Sequence, residues 1–327
     1  MINIAIIGCG RIFHKHLSVL QRNKKFRLIS ICDIDQAKLD SVKIPGLKKY
    51  NKIETMITKE KKLDMISILT PSGVHLKNFL KVSKYVQNIL IEKPLTTSLK
   101  DAKKFFFISN KNKNKVFVVM QNRFNKPILK LKDVVIKNKL GKIFLVTARV
   151  RWSRDEKYYN LAKWRGTKKM DGGILFNQAA HHVDMLTWIN GPIKKIYSFK
   201  NNYVVKNIEH EDTFVASILF KNGSIGSLEV TVGARPKDLE GSISVLGSKG
   251  SVEISGFSMD EVRHWHFSKK NRIPNFKKHN HIYGVGHDQL YREVFKAINN
   301  KKNICPTLKD GLSNVRLIER LYKSCKK

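Results

Sequence analysis

The sequence predicts two domains: an α/β domain on a parallel, doubly wound sheet, then an α+β domain on a largely antiparallel sheet. Three observations carry this. Up to about residue 120, short apolar runs alternate with helical segments. Beyond residue 122, strand-like runs follow one another, several of them separated by Gly-containing turns. The length of 327 residues suits two domains, and 42% hydrophobic residues suffice for two cores. The expected division is 1–122 and 123–327.

The elements follow in order. Residues 2–7 are apolar and largely β-branched, and Gly8-Cys9-Gly10 ends them, so they read as a buried strand and tight turn. A helix is expected from about Ile12 to Arg22, a strand over Phe26–Cys32, and another over 63–69. A helix over about His75–Tyr85 leads to strand Asn88–Ile91. A helix over about Ser98–Ser109 leads to strand Lys115–Met120. Right-handed crossovers between such strands build a parallel sheet. In the second half, 142–152, 193–200, 212–220, 224–232, 241–246 and 251–255 read as strands. One helix is expected over about 173–190, and two more near 287–299 and 310–325.

The charge is extreme: 63 Lys+Arg against 26 Asp+Glu, a net +37. Nucleic acid is the first partner this suggests. Yet 49 of the cations are Lys and only 14 are Arg, the better phosphate and base reader. The excess is also spread over both halves, +16 in residues 1–122 and +21 beyond. With 33 Ile and 10 Ala, the composition is that of A+T-rich codons laid over solvated faces. No nucleic-acid partner is expected. No apolar run reaches the roughly 18–20 residues of a membrane span, so no membrane association is expected either. No signal peptide is read, and four scattered cysteines make neither a disulfide framework nor a zinc cluster. A cytoplasmic, reduced protein is the expectation.

Gly8, Gly10, Arg11 and Ile12 lie where a strand turns into a helix. The first glycine permits the turn. The second lets backbone approach a pyrophosphate, which the helix N-terminus then holds through its N–H groups. Asp33 ends the next strand, 23 residues beyond Gly10, where a carboxylate binds ribose hydroxyls and repels a 2′-phosphate. NAD is therefore the expected cofactor. Phe13 departs from the small residue usual at the third fingerprint position. Either the helix stands further from the sheet, or the ring fills the space beneath it.

Thr70-Pro71-Ser72, His75 and Glu92-Lys93-Pro94 fall at the C-terminal ends of predicted parallel strands, the ligand edge of such sheets. A lysine fixed before a proline there, with a cis bond one option, is placed to act near a nicotinamide. Further on, Asn177 and His181 stand i, i+4 on the predicted helix and share a face, with Asp184 three residues later. His181 and His182 point apart and no further ligands cluster with them, so no metal is expected.

These motifs, with Gln121-Asn122-Arg123, Gly172-Gly173 and Gly247–Gly250, resemble the family of glucose–fructose oxidoreductase and inositol dehydrogenase. The resemblance spans nearly the whole chain. It implies an N-terminal Rossmann domain and a C-terminal domain with an open-faced sheet that often makes oligomer contacts. Trp152-Ser153-Arg154, Tyr158-Tyr159, Trp164-Arg165-Gly166-Thr167 and Asn177-Gln178-Ala179-Ala180-His181-His182 resemble one branch more closely, the bacterial UDP-N-acetylglucosaminuronic acid dehydrogenases of surface-polysaccharide (O-antigen) synthesis. The branch implies oxidation of the sugar C3 hydroxyl, a homotetramer, and recycling of bound NADH by 2-oxoglutarate.

Many family members carry Asp where this chain has Asn177, and an amide cannot supply that charge. The proton acceptor is therefore left open between Lys93 and His181, with the weight on Lys93, and Asn177 orients substrate. The resemblance puts Arg123, Arg154, Tyr158, Tyr159, Asn177, His181 and His287 on the nucleotide-sugar substrate. It puts Gln121, Trp164 and Arg165 with the Glu92 and Lys93 edge on the cofactor. Arg165 and Trp164 also read, with Arg154, Tyr158 and Tyr159, as anion clamps and stacking surfaces for the substrate's diphosphate and carboxylate. An inositol or other sugar dehydrogenase, or a sensing protein without turnover, stands as the alternative.

Overall fold

Strands and helices alternate through the first third of the chain because its central strand runs are buried on both faces and need cover on each side. The computed structural model describes residues 1–267, Pro274, Phe276 and 284–325. In chain order the first elements are β1 (Ile2–Ile7), α1 (Phe13–Arg22), β2 (Phe26–Cys32), α2 (Gln36–Ser41), β3 (Lys48–Tyr50) and α3 (Ile53–Lys59). Next come β4 (Met65–Ile68), α4 (His75–Val82), β5 (Asn88–Ile91), α5 (Leu99–Lys111), β6 (Lys115–Val118) and α6 (Lys126–Ile136). The later elements are β7 (Ile143–Arg151), α7 (Glu156–Asn160), α8 (Ile174–Asn177), α9 (Ala180–Asn190), β8 (Ile193–Asn201), β9 (Thr213–Phe220) and β10 (Ile225–Thr231). β11 (Glu240–Gly247), β12 (Gly250–Ser255), β13 (Glu261–His266), α10 (Gly286–Ile298) and α11 (Leu308–Lys323) complete the described elements.

Contacts divide the chain into two units. The first holds Met1–Val119 and His287–Val315; the second holds Met120–Gly286 and Arg316–Lys327. The chain first passes from one unit to the other between Val119 and Met120. It re-enters the first unit at His287 and leaves it again after Val315.

The first unit carries a six-stranded parallel sheet in the order β3-β2-β1-β4-β5-β6. The order reverses between β1 and β4, which makes their C-terminal ends the switch point where such sheets take ligands. Gly8 sits there with φ +102°, and a Cβ on it would stand 2.8 Å from the Leu69 carbonyl. Only glycine fits. Phe13 is fully buried, so its ring fills the space at the base of α1.

The second unit carries a seven-stranded sheet in the order β13-β12-β11-β7-β10-β9-β8. Two meanders, β8-β9-β10 and β11-β12-β13, flank β7, and among the described strand pairs of this sheet β7–β10 alone is parallel. Phe214, Ala216, Ile218 and Phe220 of β9 are buried on the inner face, and α9 packs against β7. The other face leaves Tyr197, Phe199, Val215 and Ile225 exposed. Arg149 and Arg151 there pair with Glu229 and Glu240 across the strands.

One expectation fails locally. The helix read as continuous over 173–190 is two helices, α8 and α9, broken at Gln178 and Ala179. The Ala179 N–H reaches back five residues to the Ile174 carbonyl, a widened, π-type step that shifts the register. The i, i+4 argument for Asn177 and His181 therefore lacks its straight helix.

Candidate active site

In the first unit, the turn after β1 shapes a cradle for an anion. The Phe13 N–H bonds the Gly10 carbonyl at 3.0 Å, and no side chain caps α1. A Cβ at Gly10 would meet no atom of the described residues within 4 Å, so the backbone there admits close approach. Asp33, at the end of β2, takes the Cys9 N–H on Oδ2 at 2.7 Å and the Asp35 N–H on Oδ1 at 2.9 Å. Those bonds hold the carboxylate beside the glycine turn, where ribose hydroxyls of a dinucleotide can reach it. The residues fit NAD. Burial pushes the thiols of Cys9 and Cys32 up to about 12, so neither is a nucleophile near neutral pH.

The edge formed by β4 and β5 is tied together from inside. His75 is fully buried, with Nδ1 3.0 Å from the Pro94 carbonyl and Nε2 2.8 Å from that of Thr70. It thus joins the Thr70-Pro71-Ser72 turn to the Glu92-Lys93-Pro94 turn. Burial lowers its pKa, outweighing the carbonyls and Glu92, which act to raise it. In its neutral form the ring carries one N–H, which donates to one of these carbonyls. Lys93 is half-buried and precedes Pro94 through a cis bond. Glu92 is buried, and its Oε2 accepts the Lys93 N–H at 3.0 Å. His287, expected on the substrate, is fully buried in this unit with its ring edge-on to His16.

In the second unit, Arg154 and Arg165 converge on Tyr158. Their guanidinium carbons lie 5.3 and 4.4 Å from its ring centre. Arg165 also lies over Trp164 at 4.7 Å and donates to the Tyr158 hydroxyl at 2.5 Å. Arg154 lies over Trp152 and Phe257 and pairs with Asp238 at 2.8 Å. Two cations held over aromatic rings make a surface suited to an anionic ligand with a planar base. Tyr159 is buried beside Tyr158 and packs toward His210, so it belongs to the support.

Arg123 is also buried. It makes a two-pronged pair with Asp184, Nε to Oδ2 at 2.7 Å and Nη2 to Oδ1 at 2.6 Å. Gln121 is buried on the short 3₁₀ turn Gln121–Phe124. His181 is buried in the first turn of α9, and His182 packs its ring edge against Trp152.

In the sequence Asp171 stands only within the Asp171-Gly172-Gly173 motif that resembles the same branch as Trp164-Arg165-Gly166-Thr167, with no chemical role of its own. It is buried, accepts the Gly166 N–H on Oδ2 at 2.7 Å, and accepts the Asn177 amide on Oδ1. The carboxylate missing at position 177 is thus supplied one step away, on the amide that stands there. Asp171 also lies 3.8 Å from His210 Nε2. Burial acts to lower the His210 pKa, but Asp171 and Glu211 hold it above the usual value. The spacing of Asp171 six residues before Asn177 was visible in the sequence; the turn that brings them together was not.

Among the described residues, no helix is long and apolar enough to cross a membrane. Two family models match the chain. The one described as "Oxidoreductase family, NAD-binding Rossmann fold" covers residues 2–120, and the "Oxidoreductase family, C-terminal alpha/beta domain" covers 132–327. Myo-inositol 2-dehydrogenase of Thermotoga maritima is 24% identical over 256 residues, 76% of this chain and 74% of its own. The WlbA dehydrogenase of Bordetella pertussis, solved with NADH and UDP-GlcNAcA, is similar at 30% identity and a TM-score of 0.89, over 99% of this chain and 96% of its own. The WlbA dehydrogenase of Chromobacterium violaceum, solved with the same two ligands, is 34% identical at a TM-score of 0.89, over 99% and 93%.

Proposed function

The chain belongs to the NAD-binding oxidoreductase family that both models describe, and from that premise we propose that it oxidises the C3 hydroxyl of UDP-N-acetylglucosaminuronic acid. The observation that carries the substrate is the near-full-length likeness to two dehydrogenases solved with NADH and UDP-GlcNAcA, at 30% and 34% identity. The guanidinium–aromatic surface of Arg154, Tyr158, Trp164 and Arg165 supports it, since the substrate brings a diphosphate, a carboxylate and a planar uracil.

NAD, when bound, supplies the hydride acceptor. Everything else falls to the protein. Lys93, half-buried at the ligand edge of the parallel sheet, takes the hydroxyl proton. His181 bonds the reacting hydroxyl. Asn177, its amide held by Asp171, presents its carbonyl oxygen to substrate. Arg154 and Arg165 hold the anionic groups.

The protein works in the cytoplasm as a homotetramer in surface-polysaccharide synthesis, and 2-oxoglutarate reoxidises NADH that stays bound. The exposed Tyr197, Phe199, Val215 and Ile225 suit the subunit contact.

A spectrum of the purified protein tests this reading. A reduced-nicotinamide band should appear on adding the nucleotide sugar with NAD and fall on adding 2-oxoglutarate. A band that responds to myo-inositol or glucose 6-phosphate and ignores the nucleotide sugar would overturn the substrate assignment.

A further inference from the structure

His16, Glu92 and His287 are buried in the first unit, and one ligand atom from each lies within 4.8 Å of the others. His16 comes from α1, Glu92 from the end of β5, and His287 from α10. His16 Nδ1 is 2.8 Å from the Tyr291 hydroxyl, and its Nε2 is 2.9 Å from Glu92 Oε1. The His287 ring packs edge-on against His16 with centroids 5.1 Å apart, its Nε2 4.0 Å from Glu92 Oε1. Glu92 Oε2 accepts the Lys93 N–H at 3.0 Å.

The donors assign a direction. A buried carboxylate needs donors on both oxygens. If His16 donates from Nε2 to Glu92, its Nδ1 accepts from Tyr291. Burial raises the Tyr291 pKa far above its usual value, so that hydroxyl keeps its proton. The chain then runs from Tyr291 through His16 and Glu92 to the Lys93 amide with every step satisfied. A zinc ion would need His16 Nε2 bare, with ligand atoms about 3.3 Å apart. His16 and Glu92 stand closer, at hydrogen-bond distance.

We propose that His16 and Tyr291 are positioning residues for Lys93: through Glu92 they fix the peptide from which the Lys93 side chain departs. This rests on the reading of Lys93 as the proton acceptor. Packing alone would need no polar group at these positions. The network terminates on the one residue whose placement decides proton transfer. A displacement of about 1 Å at a reacting group costs on the order of 10²-fold in rate.

The test uses the full chain with NAD and four variants: His16→Leu, His16→Gln, Tyr291→Phe and Lys93→Ala. Hydrogen exchange of the peptide containing Lys93 is measured alongside kcat, KM and NAD affinity. In His16→Leu, exchange at the Lys93 amide should quicken about tenfold and kcat fall between about 10- and 10²-fold, with NAD affinity within about threefold. His16→Gln, which can still donate to Glu92, should recover most of kcat. Tyr291→Phe should show a smaller effect in the same direction, and it keeps the test open if His16→Leu fails to fold.

Three results overturn the proposal: unchanged exchange at Lys93 in a folded variant, a kcat loss that tracks lost NAD affinity, or stoichiometric zinc in the wild type that His16→Leu removes. Lys93→Ala separates the two layers. Wild-type turnover in that variant defeats the proton assignment, while the exchange measurement still decides the positioning.

Discussion

Replacing Asp184 by Asn removes one charge from a buried ion pair while keeping the size of the side chain. Arg123 is 8% exposed and Asp184 4%, and two hydrogen bonds of 2.7 and 2.6 Å join them. Losing one partner leaves the guanidinium buried without its counter-charge, which costs about 3–5 kcal/mol. For a domain of roughly 150–250 residues each kcal/mol moves the midpoint by about 2–4 °C, so a fall of about 6–20 °C is expected. Scanning calorimetry is the assay, because a chain of two units need not melt in a single step. The double variant Arg123→Met, Asp184→Leu should recover most of the loss, since an apolar pair needs no compensation. A drop below about 2 °C in Asp184→Asn, with a raised KM for the nucleotide sugar, would refute this reasoning and return Arg123 to the substrate.

Asp33→Ala should weaken NAD binding about tenfold or more while affecting NADP less, read by fluorescence titration; equal affinities before and after would defeat the ribose assignment. Lys93→Ala should lower turnover by about 10²–10⁴-fold with NAD binding retained, and a wild-type rate would remove Lys93 from the chemistry. Gly8→Ala should abolish NAD binding or folding, because its Cβ would sit 2.8 Å from the Leu69 backbone; a normal affinity would mean that the turn yields. Asp212 is buried, which acts to raise its pKa, but the Val205, Val204 and Tyr203 N–H groups and the Thr213 hydroxyl hold it lower. Its stabilising effect is present above the unfolded carboxyl value and is lost as pH falls through the lower folded one. Melting points should therefore fall less in Asp212→Asn than in the wild type between about pH 6 and pH 3.

The parallel strands were legible because a strand buried on both faces is a continuous apolar run, as in Ile2–Ile7 and Asn88–Ile91. Lys48–Tyr50 escaped notice. It is a three-residue edge strand with two lysines, and nothing in its sequence signals pairing with β2. Asp33 and the glycine turn were legible because a dinucleotide imposes spacing along the chain. Asp171 was not, because its meaning depends on a turn between it and Asn177.

The sequence by itself determined which residue types meet the cofactor edge, since strand ends and helix starts are local events with their own chemistry. Only the tertiary structure decided what those residues touch. Arg123 finds its counter-ion 61 residues away, and His16 reaches Glu92 and Tyr291 across 76 and 275 residues. A charge reads the same in a sequence whether it faces solvent, a ligand or a buried partner. Desolvation separates those cases, and desolvation is a property of the packed chain.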